Sequence, residues 1–592
     1  MDGAKRQKDA SKATDQGCLD TWCRASFAGE ACIWASSPPA LNKLTPLLTA
    51  EFTELIPEKL KELAPSEAKV AAFVAGPCVY AKRDHDVFDV IVICDGYSEG
   101  LRTRLLIADD KEYRFLFVDR GLIESDIANG ALGDFLTDKL LYPYSPVLNQ
   151  DYVDALGHKV RARVVEEEVR ELIIDYGEMS RGLVAKPEFF GLSRMRTRAR
   201  IFVPSMSEYI KFLGPDVKDR NIARLRTEFR NAANMVQGGV VAVEDDNVTI
   251  LDAAVDKWIG DRSSRQVVNI LEQGRRAFYS YVARGRSIFL NVDLLAREIY
   301  GPFRLGLGKD TLGLHPEDPK NYLYLNTATG LTPVNEKASI EDVIASIRPG
   351  RPITISPLAG VLNEVFLVTS GPDRFVAKKF TDWYGFKWFT LNLVSFGSKI
   401  FSVSGRARMS NEYGVNRYLA KRKLNVPDIV HASLKDRMLL ESYVSGQPMD
   451  KFVAKAVNER ALTTGQIRLA QTLGETLGRI HNVGVSVGDS KPENFVIMDS
   501  NVYVVDLEQA GRRGDCAWDV AELLYYAGHY SDSPTPTHGL SEITRSFIEG
   551  YSRVGDASNL KRAASVRYAK PFSIWTPAPI LFEISKMLRS VK

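Results

Sequence analysis

The 592-residue sequence predicts an α+β multidomain fold, on three observations. Its length exceeds what one ordinary core supports, so two to four units are expected. Short β-rich runs and helical periods fall in separate blocks along the chain. Hydrophobic residues make up 45% and charged residues 26%, the balance of a soluble globular protein. A net charge of +3 confines any nucleic-acid surface to a local patch. Cys18, Cys23, Cys32, Cys78, Cys94 and Cys516 form no CxxC pair, which indicates neither a zinc site nor a disulfide framework. No apolar run is long enough to cross a bilayer. Asp2, Lys5, Arg6, Lys8, Asp9 and Asp15 precede only short apolar pieces, so no signal peptide is expected. The expected location is the cytoplasm.

Residues 1–45 are polar and aperiodic up to "SSPPA", which predicts a disordered tail. The next unit, 46–150, opens with a helix over Glu51–Leu63. The runs "AKVAAFVAGP", "FDVIVIC", "RTRLLIA" and "YRFLFVD" then read as strands bounded by Gly, Asp and Lys. Gly76–Pro77 forms a turn ahead of "DHDVFDVIVI", which supplies Asp84, Asp86 and Asp89, and "FLFVDRG" adds Asp119. This arrangement resembles the DNA-polymerase-β-type nucleotidyltransferases. There a Gly-Ser turn precedes an acid-x-acid pair that holds metal, and a third acid follows on a later strand. In this sequence Pro77 replaces the serine. Asp86 lies three positions before Asp89, so strand alternation sends the two to opposite faces. The resemblance thus implies a degenerate, non-catalytic α/β relative.

From 151 to 300 the pattern turns helical. "ALGHKVRARVVEEEVRELIIDYG" puts Val160, Val164, Val165, Val169 and Leu172 on one stripe, with Glu166 and Arg170 at i,i+4. A second helix around Asp219 to Val236 leads to a hairpin turning at Asp245–Asp246–Asn247, the pattern of a winged-helix piece. In "RMRTRARIF", Arg194, Arg196, Arg198 and Arg200 alternate. As a strand they form one basic face suited to RNA phosphates; as a helix they spread round the cylinder. Residues 301–350 are rich in Gly and Pro and read as a linker.

The last unit, 351–592, begins with three strands, "RPITISPLAG", "VLNEVFLVTSG" and "DRFVAKKF". A helix near Arg406 to Ala420 follows, then the strands "DIVHASL" and "RMLLESYVSG". The remainder is helical apart from "NFVIMDSNVYVVDLE", a hairpin turning at Asp499–Ser500–Asn501. A strand-rich part followed by a helical part, with a polar loop at the junction, is a two-lobed arrangement. That loop, "GDSKPEN", carries Asp489, Lys491 and Asn494, and Asp506 opens "DLE" after an apolar strand. Phosphoryl transfer needs an acid to orient the attacking hydroxyl, cations for the phosphates, and an acid and an amide for magnesium.

The spacing D-x-K-P-x-N resembles the protein-kinase catalytic loop. The resemblance implies a two-lobed kinase-like fold that takes ATP and Mg2+. Asp489 would orient the acceptor, Lys491 would offset charge, and Asn494 and Asp506 would bind metal. Lys378 in "FVAKKF" would hold phosphates, paired with Glu412. Gly360 would cover them, and Glu441 and Tyr443 of "LLESYVSG" would form the hinge against adenine. Asp519 in "WDVAELLYY" would hold the catalytic loop.

The match departs from ordinary protein kinases in several places. Gly360 is the one glycine of its loop, Val487–Gly488 stand where a histidine is usual, and Glu508 replaces a glycine. Only about a dozen residues separate Asp506 from Asp519, with no A-P-E triplet. With "HNVGVSVGD" and "DVAELL", the region is similar to the atypical branch: the RIO kinases, the small kinase of the KEOPS tRNA-modification complex, and the aminoglycoside and lipopolysaccharide-sugar kinases. The expected activity is transfer of the γ-phosphoryl group to a serine or threonine hydroxyl, the chain's own among the candidates. The alternatives are a small-molecule kinase, or a kinase-like ATPase or pseudokinase in an RNA-modifying assembly. Between Lys378 and Glu412 an insertion, 382–405, groups Trp383, Tyr384, Phe386, Trp388 and Phe389 beside Lys387, Lys399, Arg406 and Arg408. Its rings are expected to pack on the neighbouring lobe, with a partner or membrane contact as the alternative and the basic residues free for an anionic partner.

Overall fold

Residues 50–63, 68–81, 87–108, 111–288, 317–358, 363–382 and 402–591 are described by the computed structural model. The 1–45 tail, Asp84, Asp86, Gly360 and the aromatic residues of the insertion, with Lys387 and Lys399, lie outside them. The described chain is a mixture of helices and several sheets. None of its helices is long and apolar enough to cross a membrane.

The β-branched and aromatic runs of the front half form β1 (Lys69–Ala75), β2 (Val87–Cys94), β3 (Leu101–Ala108), β4 (Lys111–Asp119) and β5 (Ser145–Leu148). They make one sheet in the order β3-β4-β2-β1-β5, with β2 and β4 parallel. The helix Gln150–Tyr176 buries Val160, Val164, Val165, Val169 and Leu172 against it. A second sheet joins β6 (Leu183–Ala185), the hairpin β7 (Val241–Glu244) and β8 (Asn247–Ile250), and the hairpin β9 (Leu323–Thr327) and β10 (Gly330–Pro333), in the order β10-β9-β6-β8-β7. The hairpin read as a wing is therefore the edge of a five-stranded sheet.

Two expectations give way here. First, 317–350 is folded rather than a spacer. It supplies β9, β10 and a helix, Ile340–Ile347, capped by Ser339, whose hydroxyl accepts from the Asp342 N–H. Ile340, Val343 and Ile344 of that helix are buried. Second, "RMRTRARIF" belongs to the helix Glu188–Ile201. Arg194 is buried against Glu167 (2.5 Å) and Glu168 (3.0 Å), Arg196 meets Asp318 (2.6 Å), and Arg198 is buried against Asp138 (2.8 Å). Arg200 alone of the four is exposed, so the four present no continuous basic face to RNA. Acids far away in sequence take up the other three.

The third sheet contains β11 (Ile353–Leu358), β12 (Glu364–Ser370), β13 (Asp373–Lys379), β14 (Ile429–Ser433) and β15 (Met438–Ser442), in the order β11-β12-β13-β15-β14. Phe375 and Ala377 on one face of β13, with Met438 and Leu440 on β15, pack on the Ile340–Ile347 helix. Strand alternation therefore turns Val376, Lys378, Leu439 and Glu441 to the other face. Beyond it, the helices Gly405–Lys421, Thr464–Asn482, Cys516–Ala527, His538–Ser552 and Ala578–Arg589 surround three short strand pairings. These involve β16 (Gln447–Pro448), β17 (Val485–Ser486), β18 (Phe495–Met498), β19 (Asn501–Val504) and β20 (Gly511–Arg512), with β16-β18-β19 in one sheet and β17-β20 in another. Asp499 and Ser500 both take positive φ, the two-residue turn that matches hairpin twist in β18-β19.

Candidate active site

Lys378 is buried on the face of β13 that points away from the Ile340–Ile347 helix. Its ammonium meets Glu412 Oε1 at 2.8 Å, the Val505 carbonyl at 2.8 Å and Glu441 Oε2 at 3.2 Å. Two of its protons go to Glu412 and the Val505 carbonyl as hydrogen bonds, and Glu441 adds an ion-pair contact. Burial works against its charge, but the two glutamates beside it raise its pKa. Glu412, on the helix Gly405–Lys421, also accepts the Leu507 N–H through Oε2 at 2.6 Å. One carboxylate thus joins the lysine to the backbone beside Asp506.

Glu441 does not sit at a hinge edge. Register pairs Val376 with Glu441 and Lys378 with Leu439, so Glu441 is the diagonal same-face neighbour of Lys378. Its side chain is buried, and its second oxygen, Oε1, has no hydrogen-bond partner. Tyr443, one residue past β15, is half-buried under the Arg374 guanidinium, 4.6 Å from the ring centre.

The loop after β17 is fixed from below. Asp519, buried in the helix Cys516–Ala527, accepts the N–H groups of Val487 (2.7 Å) and Gly488 (2.8 Å) and pairs with His481 Nε2 at 3.0 Å. Gly488 has φ +81°, a conformation that disfavours a side chain, and this explains the glycine ahead of Asp489. Asp489 is half-buried, with Lys491 Nζ 2.9 Å from its Oδ1. Burial opposes the Lys491 charge, while Asp489 raises its pKa. Asn494 donates its amide to the Asp489 carbonyl at 2.8 Å, which leaves its amide oxygen as the acceptor end.

Among the described residues no cluster of three or more His, Cys, Asp or Glu is arranged to hold a metal. Magnesium bound with a nucleotide needs only one or two protein oxygens, the rest coming from phosphates and water. The Asp506 carboxylate and the Asn494 amide oxygen fit that role in donor type.

Sequence reasoning took Glu508 only as a departure from the kinase pattern and passed over Glu522. Glu508 is held by Arg408 (2.9 Å) and Asn363 (2.5 Å), and Arg408 also donates to the Asn363 amide oxygen (2.6 Å) and to the Thr381 carbonyl. Burial and Asp506 push the Glu508 carboxyl up to about 7. Arg408 is fully buried, so it is not a free cation for an anionic partner. Glu522, three residues after Asp519 and so on the same helix face, accepts the Ser490 N–H (2.7 Å), the Ser490 hydroxyl (3.2 Å) and the Trp518 indole N–H (3.1 Å). Burial and nearby Asp489 push it up to about 8. Its i+3 spacing from Asp519 in "WDVAELL" was the available signal.

Of the front-half acids, the two described, Asp89 and Asp119, do not assemble. Asp89 lies beside Lys139 (3.6 Å) near the start of β2. Asp119 is opposite Cys94 at the far end of the parallel pair, five residues from the Asp89–Arg114 position and about 16 Å away along the strands. It serves instead as the N-cap of the helix Arg120–Asn129, accepting the Gly121 N–H at 2.8 Å, and takes the Tyr97 N–H at 3.0 Å.

The residues brought together here are similar to those of atypical kinase-like proteins, and comparison with known proteins gives two partial likenesses. No protein-family model matches the sequence. Over 99 residues the chain is 23% identical to the KEOPS complex subunit Bud32 of Pyrococcus abyssi, covering 17% of this chain and 39% of Bud32. Among solved structures it is similar to WaaP in complex with acyl carrier protein, at 14% identity and a TM-score of 0.25. That likeness covers 37% of this chain and 84% of the WaaP chain.

Proposed function

We propose that residues 351–592 form an ATP- and Mg2+-dependent atypical kinase of two-lobed, protein-kinase-like fold that phosphorylates a serine or threonine hydroxyl. The observation that carries this reading is the double engagement of Glu412, with the Lys378 ammonium on one oxygen and the Leu507 N–H beside Asp506 on the other. An apolar strand lysine, a helix glutamate and a metal-type aspartate meet there in the order that nucleotide phosphates require. In the step itself, Asp489 accepts the acceptor hydroxyl's proton as its oxygen bonds to the γ-phosphorus. The bond from that phosphorus to the β-phosphate oxygen breaks, and ADP leaves. Lys491 offsets charge on the moving group, and Lys378 steadies the remaining phosphates. Magnesium, when bound at Asp506 and Asn494, supplies charge neutralisation between the phosphates.

A second reading keeps this centre and changes the acceptor to a small molecule. The short span from Asp506 to Cys516, where the next helix begins, favours it, because it leaves little surface on which to lay a peptide. Labelled ATP and Mg2+ test both, with the chain alone, with generic protein and with an aminoglycoside or sugar panel. Label on protein that is lost in Asp506→Ala and Lys378→Ala supports the first reading. Label only on a small molecule selects the second. Phosphate release without labelled product, or no turnover, overturns both in favour of an ATPase or a pseudokinase.

A further inference from the structure

The helix that carries Glu412 has two working faces. Arg408 and Glu412, at i and i+4, look into the candidate site. Ser410, Tyr413, Gly414 and Lys421 form a second stripe, and this one is covered by the front half. The Ser410 hydroxyl donates to the Tyr176 carbonyl (2.6 Å) and accepts the Met179 N–H (3.1 Å). The buried Tyr413 hydroxyl donates to the Asn326 carbonyl at 2.7 Å. Gly414 lies so close to the turn Gly177–Gly182 that a Cβ there would stand 2.1 Å from the Glu178 carbonyl oxygen. Such contact admits no side chain and no sliding.

At the end of this stripe, charge from the front half ties together two parts of the site. Asp252 and Asp256 sit at i and i+4 on the helix Asp252–Trp258. Asp256 meets the fully buried Arg181 (2.6 Å) and Arg512 (3.1 Å), while Asp252 meets Arg422 (3.4 Å), Arg181 (3.6 Å) and Lys421 (4.0 Å). Arg422 and Lys421 lie at the end of the Glu412 helix. Arg512 lies on β20, six residues beyond Asp506 and paired with β17, which leads into the Asp489 loop. The guanidinium groups of Arg181, Arg422 and Arg512 all approach the Tyr418 ring, at 5.0, 3.4 and 4.3 Å from its centre. These cations crowd one aromatic ring, and the two aspartates supply their counter-charge together with Glu178, which meets Arg181 at 2.6 Å.

We propose that the front half is a fixed positioning element of the phosphoryl-transfer centre, with Asp252 and Asp256 holding the Glu412 helix and the β17-β20 pair in one register. This rests on the kinase reading. Kinases with a long activation segment set the corresponding helix and loop through that segment. The short span from Asp506 to Cys516 leaves no room for one, and the aspartates reach both the end of the Glu412 helix and the β17-β20 pair. Asp256 acts through Arg181 and Arg512, not on substrate.

The test uses the full chain with Asp256→Asn, which keeps the shape and removes the charge, and Asp256→Glu, which restores it. Tyr413→Phe, which removes only a hydroxyl, serves if Asp256→Asn folds poorly, and Asp373→Asn at the β12-β13 turn is the control. In Asp256→Asn and Tyr413→Phe, amide exchange is expected to quicken in Gly405–Lys421 and in 485–490 while the β1-β5 sheet stays as in the wild type. The kcat for phosphoryl transfer is expected to fall about ten- to hundredfold with the KM for ATP within about threefold, and Asp256→Glu to recover most of it. Unchanged exchange in those segments, or exchange that quickens evenly along the whole chain, overturns the proposal. A wild type without phosphoryl transfer sinks the kinase reading instead, and the exchange pattern alone then judges the coupling.

Discussion

Two stretches of this protein look alike on paper. "VYVVDLE" and "FLFVDRG" each run an apolar strand into an aspartate and then a turn. Around Asp506 the backbone is held by side chains from distant elements: Lys378 takes the Val505 carbonyl, Glu412 the Leu507 N–H and Asn411 the Glu508 carbonyl. Among the described residues, Asp119 is held only by backbone N–H groups, those of Gly121 and Tyr97, with no side chain brought to it from another lobe. The strand and its aspartate are the same device in both places. What differs is whether tertiary structure brings other chemistry to the strand end, and that separates a candidate centre from a helix cap.

The comparison breaks most sharply by removing the acids. Asp489→Asn is expected to lower phosphoryl transfer about 10²- to 10⁴-fold, and Asp506→Asn to abolish it, each with an unchanged melting temperature. Asp119→Ala should leave transfer intact and cost about 1 kcal/mol in urea unfolding as a lost cap. Equal activity losses at Asp506 and Asp119 would refute the distinction. A second contrast lies inside "RMRTRARIF". Arg198→Ala leaves the buried Asp138 without its partner and is expected to cost about 3 kcal/mol, against under about 0.5 kcal/mol for the exposed Arg200→Ala. If both cost the same in denaturant unfolding, the buried pair is not the reason for the first.

The same two regions show what was legible in the sequence. The strands, the Asp499–Ser500 hairpin and the lysine-helix-loop order came from period and turn chemistry, which are local. The alternating arginines read as strand or as helix, and only Asp138, Glu167, Glu168 and Asp318, far away in sequence, decide between them. Gly and Pro in 301–350 masked the helix Ile340–Ile347, although Ser339 followed by Asp342 and an Ile340-Val343-Ile344-Ile347 stripe were there to be read. The direction of Glu441 was hidden because strand parity means nothing until it is known which face of the sheet that helix covers. Asp119 was misjudged for a related reason: register, not sequence spacing, sets its distance from Asp89.

A pH titration sharpens the picture of the catalytic loop. The Glu522 carboxyl ionises near 4.5 in the unfolded chain and is pushed up to about 8 in the fold by burial and Asp489. Between those values the folded state holds a proton that the unfolded state lacks. This contribution to stability is full below pH 4.5 and declines as pH rises toward 8. Glu522→Gln cannot ionise and still offers an oxygen to Ser490 and Trp518. Its unfolding free energy should therefore fall less than that of the wild type between pH 5 and about 8. Parallel pH curves for the two proteins would rule Glu522 out as the group responsible.

The smallest effect expected on turnover kinetics is at Glu441, and its sign is the informative part. In this structure Lys378 hydrogen-bonds Glu412 and the Val505 carbonyl and makes an ion pair with Glu441, so a nucleotide phosphate competes with these groups for the ammonium. Glu412 also holds the Leu507 N–H, and the Val505 carbonyl belongs to the strand end that positions Asp506; losing either would disturb the centre. Glu441 makes the longest of the three contacts, and its other oxygen has no partner. It is the ligand most readily given up. Glu441→Gln keeps the shape and removes the competing charge, so the KM for ATP is expected to fall about fivefold, worth about 1 kcal/mol, with kcat little changed. A KM that rises instead would mean that Glu441 helps to place Lys378 for the phosphates, and the two glutamates would then be joint supports of one lysine.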